Sequence, residues 1–172
     1  MAAGLDETSR EPPLGRVRRL LRGFVALLLV SVGAAAFAMT FREALQLVYT
    51  KVYGQRDVVE AFTHLPPAAK ALVPAAGALI AGVVTRFARQ AQGVGDVMEA
   101  VVLGRTRLSM RSTVWKALGS WFAIATGGSV GREGPLIQFG GALGSRIASW
   151  FGISGERARA LIAVGTAAGF AA

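Results

Sequence analysis

Eighteen residues without a charge, Phe24 to Phe41 (FVALLLVSVGAAAFAMTF), stand between Arg22 and Arg42. At ~1.5 Å per residue a helix of that length just covers the hydrocarbon core of a bilayer. Backbone inside lipid must satisfy its own hydrogen bonds, so the chain around it is held to helices or a closed barrel. Period-two alternation is missing, which leaves helices. The fold class expected is therefore an all-α membrane protein, and 53% apolar against 17% charged residues is in keeping with lipid as its solvent.

The charge is strongly basic, 19 Lys and Arg against 10 Asp and Glu. In a soluble domain this would raise nucleic acid as a partner, but the arginines sit at the ends of apolar segments and no aromatic stacking pattern is interleaved with them. Membrane lipid and the positive-inside rule account for them instead. Arg10, Arg16, Arg18, Arg19 and Arg22 precede the first span and place the N-terminus in the cytoplasm, with residues 1–22 as a basic segment and 23–172 as membrane domain. Small residues at Ala34-Ala35-Ala36 suggest a signal-peptide cleavage site, but the apolar run continues to Phe41, so a retained span is the reading. No cysteine is present, which excludes disulfides and thiolate metal sites.

Residues 42–67 carry six charges, Gly54 and Pro66-Pro67, and read as an aqueous connection with short helical pieces. His64, the sole histidine, lies there as a surface residue without metal partners. Ala68 to Val84 is the second span, with small residues at Ala75, Ala76, Gly77, Ala78, Ala81 and Gly82 for close helix contact. The turn Gly93-Val94-Gly95-Asp96 feeds a helix too short to cross, as re-entrant segments do. A basic loop, 104–111, leads to the short helix Val114 to Thr126, then to a second glycine-rich turn, Gly127 to Pro135 (GGSVGREGP). Helices over Leu136 to Phe151 and Arg157 to Ala172 follow, the latter with the packing spacing Gly165-Thr-Ala-Ala-Gly169.

The two glycine turns carry the chemistry. Glycines at 127, 128, 131 and 134 let backbone amides converge, and Pro135 presets a helix whose start bears partial positive charge. Such a start is an anion site. A second start near Asp96, aimed at the same place, would replace part of an anion's hydration shell without holding it too tightly. Glu133 lies where an anion would sit: charged, it competes with the anion; neutral, it clears the path. The plainer alternative is an Arg132–Glu133 ion pair at a membrane surface. Enzyme chemistry has little to work with, since the turn lacks the Lys-Ser/Thr of a phosphate loop and one histidine makes no Ser-His-acid set.

The stretch GGSVGREGPLIQFGGALGSRIA, followed by GISGERARALIAVGTAAGFAA, resembles the gating-glutamate segment of the CLC family of chloride channels and proton-coupled chloride transporters. The resemblance runs from about Gly15 onward and implies chloride transport as channel or exchanger, with protons as a second partner, no cofactor, inverted repeats, broken helices and a homodimer. It makes Glu133 the gate and puts Gly131, Arg132, Gly134 and Pro135 around the anion. The family's other turn, written Gly-Ser-Gly-Ile-Pro, stands here as Ala91-Gln92-Gly93-Val94-Gly95, so Gln92, Gly93 and Val94 are the matching anion-binding positions. Gln92 replaces a hydroxyl with an amide and Gly95 replaces the proline. The chain matches the first inverted repeat only, truncated before the second, and the rival reading is a non-transporting membrane fragment or packing subunit.

Overall fold

The computed structural model describes residues 13–55, 58–88, 93–103 and 107–172, with side-chain surroundings from Val17 onward. Among these the fold is all-α: α1 (Pro13–Val48), continued by a π-helical turn (Tyr49–Tyr53), then α2 (Val58–Thr63), α3 (Pro67–Arg86), α4 (Val94–Leu103), α5 (Met110–Ala125), α6 (Glu133–Trp150) and α7 (Glu156–Ala171). The helical stretch begun by α1, and α3, are each long and apolar enough to cross a membrane.

The first span outruns its expected length. Nothing between Phe41 and Tyr53 breaks a helix, so the chain stays helical through Arg42, Glu43 and Lys51, which are exposed. Gly54, at φ 69°, ends it in the left-handed conformation that glycine adopts without steric cost. Residues 42–53 therefore continue the first helix, where the sequence suggests a connection with short helical pieces. His64 is exposed in the turn after α2, as expected.

Helix α6 is the centre of the packing. It runs antiparallel to α1, with Gly33 under Leu143 and the rings of Phe37 and Phe139 stacked 3.6 Å apart. On its other side it runs antiparallel to α7 along a seam of small residues: Leu136 meets Gly169, Gly140 meets Gly165 and Gly144 meets Leu161. A Cβ on Gly144 would lie 2.5 Å from the Leu161 carbonyl oxygen, so the two backbones touch where side chains would otherwise stand. The four-residue period of both partners keeps these contacts on one face. Gly165 and Gly169 thus do the packing that their spacing implied.

Helices α3 and α5 form a second antiparallel pair, with Gly77 against Thr126, Gly119 against Thr85, and Phe87 and Trp115 ring to ring at 5.5 Å. Gly77 is buried by this contact, whereas Ala75, Ala76, Ala78 and Gly82 stay exposed, so the small-residue face of α3 is used only along one stripe. In sequence α4 comes between α3 and α5, but it packs on α6 and α7, where Val97, Ala100 and Ile162 make a small core.

Candidate functional site

The turn before α6 is built from the end of α5. Thr126 is its C-cap, Gly127 follows at φ 82°, and the amides of Gly127 and Gly128 donate back to the carbonyls of Ile124 (3.0 Å) and Ala123 (2.8 Å). This pair of bonds satisfies the last carbonyls of a helix. The sequence reading had these two amides facing an anion; they are instead spent on α5, because a left-handed glycine directly after a helix closes onto that helix first. The group left for a ligand is the next one, Gly131 to Gly134.

Helix α6 starts earlier than Pro135 suggests. Arg132 is the N-cap, Glu133 and Gly134 are the first helical residues, and Pro135 is third, where its missing N–H is no loss because first-turn amides have no partner inside a helix. Arg132 supplies no side-chain cap. Gly131, Arg132 and Glu133 are exposed, Gly134 is half-buried and Pro135 buried. Among the described residues no ion pair joins Arg132 to Glu133. Three residues further on, Leu136 shares a core cluster with Phe41, the last residue of the charge-free run of α1. Glu133 therefore projects from the tip of α6 near the level where that run ends.

Tyr49, Tyr53 and Phe62 hold this turn in place, which no motif around them announced. Tyr49 is buried in the π-helical turn and its hydroxyl donates to the carbonyl oxygen of Ile124 at 2.8 Å, in the last turn of α5. Phe62 of α2 lies flat against Gly127, where a Cβ would collide with its ring, and Phe62 is in turn 5.8 Å from the ring of Tyr53. The pairing of Tyr49 with Tyr53, one turn apart, is the only sequence signal for this brace. Because the Ile124 oxygen also accepts from Gly127, Tyr49→Phe is expected to cost about 1 kcal/mol and no more, read as a lower unfolding midpoint.

The second start, α4, opens at Val94 with Gly93 just before it, both half-buried; Gln92 lies outside the described residues. The Gly93 amide donates to the carboxylate of Asp96, in the first turn, while Asp96 N–H returns a bond to the Gly93 carbonyl at 3.2 Å. The acid thus caps its own helix, as a third-position Glu does in a capping box, and it lies within electrostatic reach of Lys116 on α5. Asp96→Ala is expected to cost about 1 kcal/mol and to speed amide exchange at Gly93. Val97 packs at Gly141, so α4 meets α6 about two turns, ~12 Å, beyond Glu133. The two helix starts thus share α6 as a neighbour.

Helices α1 and α3, long enough to span, and a core helix whose uncapped start carries an acid define an all-helical membrane protein with an exposed polar helix tip. Residues 76–172 match the family model described as voltage gated chloride channel, and the chain belongs to that family. It is similar to a ClcB-like chloride channel protein of Ralstonia nicotianae, at 34% identity over 82% of this chain and 35% of that one. Similar too are the voltage-gated ClC-type chloride channel ClcB of Yersinia pseudotuberculosis (27%, over 88% and 38%) and the H(+)/Cl(-) exchange transporter ClcA of Vibrio cholerae (35%, over 84% and 32%). The chain spans about a third of the length of these relatives. No solved structure matches it.

Proposed function

We propose that this chain supplies the first half of a chloride pathway, in which the amides at the start of α6 bind the anion and Glu133 is the protonatable gate. The observation that carries the reading is the uncapped start of α6, with Glu133 as its first helical residue: orphan amides and the helix dipole favour negative charge there, and the protein's own carboxylate is the nearest candidate to take the place of a bound ion. Of Gly93 and Val94 at the α4 start, Val94 offers the amide for a second anion position, since the Gly93 amide donates to the Asp96 carboxylate. Gln92, through its amide N–H groups, is the matching side-chain donor. Two positions in series allow an ion to be handed from one to the next, each weak enough to release it.

With the arginine-rich start of α1 in the cytoplasm, the antiparallel run of α6 puts Glu133 toward the opposite side. Relatives named as channel and as exchanger both lie within the family, and the reading accommodates either, with chloride as substrate and protons reaching Glu133. The complete pathway needs more than these helices, and the protein in which it forms is proposed to be a homodimer. The test is chloride flux by the full-length protein in liposomes, wild type against Glu133→Gln. Flux whose pH dependence is the same in both would refute the gate.

A further inference from the structure

Because α1 runs antiparallel to α6 and α6 antiparallel to α7, the start of α1, the end of α6 and the start of α7 meet at one end of the bundle. Between them is a groove of about 1030 Å³. Its rim is cationic: Arg18 and Arg19 share one turn of α1, Arg22 lies on the next, and Arg157 lines the groove from α7. The acid among the lining residues, Glu156, is engaged 3.6 Å from Arg159. The floor is apolar, with Phe24 from α1 and Phe151 from the turn after α6. Trp150 is exposed at this same end, with the Arg146 guanidinium 5.3 Å from its ring centroid. An amphipathic ring beside arginines, at the end of the bundle where the first span begins, is the pattern found at the headgroup level of a bilayer.

We infer that this groove is a binding site for one anionic phospholipid, its phosphate held between Arg18 and Arg22 of α1 and Arg157 of α7 and its acyl chains laid against Phe24 and Phe151. Charge selects the occupant. A zwitterionic lipid brings a positive group into a rim that is already cationic, whereas phosphatidylglycerol brings only the phosphate that guanidinium groups bind through paired N–H donors. The site differs from general surface attraction in drawing its arginines from two helices far apart in sequence, so occupation would tie α1 to α7.

The test is native mass spectrometry of the full chain in detergent, with phosphatidylglycerol and phosphatidylcholine of identical acyl chains offered together. Phosphatidylglycerol is expected to be retained in preference. Arg157→Gln should weaken that retention about fivefold, the equivalent of about 1 kcal/mol per arginine, and Arg18→Gln, Arg22→Gln and Arg157→Gln combined on the order of a hundredfold. If the triple variant does not fold, the single Arg157 change carries the test. A control with the same loss of charge elsewhere, Arg86→Gln, Arg107→Gln and Arg111→Gln, should keep the preference. Equal loss in that control, unchanged retention in Arg157→Gln, or displacement of the lipid by inorganic phosphate alone would each overturn the site.

Discussion

Replacing Gly140 with alanine is expected to destabilise the chain by about 3 kcal/mol, at the top of the range for overpacked cores, and replacement with leucine to prevent α6 and α7 from docking at all. In an isolated helix the alanine would be favoured by up to about 1 kcal/mol. The sign is reversed because a Cβ at 140 meets the Gly165 carbonyl group and the Thr166 amide nitrogen. These are backbone atoms, which cannot rotate away as a side chain can. The contact also sits in the middle of the seam, so relief at Gly140 would pull the Gly144–Leu161 and Leu136–Gly169 contacts apart as well. Gly82 offers the contrast: nothing lies within 4 Å of its virtual Cβ, and Gly82→Ala is expected to be neutral or to raise stability by up to about 1 kcal/mol. Unfolding midpoints of the two variants in detergent decide it, and equal midpoints would mean that α6 and α7 do not pack through this seam. The absence of native cysteine lets a cysteine pair placed across α6 and α7 report docking independently.

The spans and the α6–α7 seam were legible in the sequence because each depends on a short-range property. Freedom from charge over Phe24 to Phe41 sets a length against the bilayer, and Gly165-x-x-x-Gly169 sets a stripe on one helix face. What could not be read is how polar groups are shared between elements. The amides of Gly127 and Gly128 look identical to those of Gly131 and Gly134 in a glycine-rich string, and only the left-handed turn at Gly127 assigns the first two to α5. The α4 start likewise looks open to an anion until its Gly93 amide is seen to donate to Asp96. The extension through 42–53 was missed for a different reason: charge was taken as a sign of connection, but a helix leaving the bilayer can carry charge freely and ends only at a residue such as Gly54. The seat of Val97 on Gly141, which docks α4 on α6, is a pairing that no periodicity encodes.

Glu133→Gln in the full-length protein is expected to abolish the pH dependence of chloride flux and hold it at the level that the wild type reaches in acid. On the proposed reading the start of α6 sets this outcome. Its free amides and dipole stabilise one negative group at a time, so an ionised Glu133 and an entering chloride are alternatives. On the proposed reading protonation removes the competitor, so flux through the wild type is expected to rise as pH falls. Where the carboxylate is mostly ionised, its neutral fraction changes about tenfold per pH unit, which sets the steepest slope a single gate can give. Glutamine has nearly the same shape and cannot ionise, so the path stays open at every pH and the slope vanishes. Glu156→Gln is the matched control: that acid starts α7 at the far end of α6, and its loss should leave both slope and magnitude intact. A wild-type slope that survives Glu133→Gln would assign the proton to another group and leave the α6 tip without a gating role. A slope lost in the Glu156 variant instead would point to the opposite face of the protein.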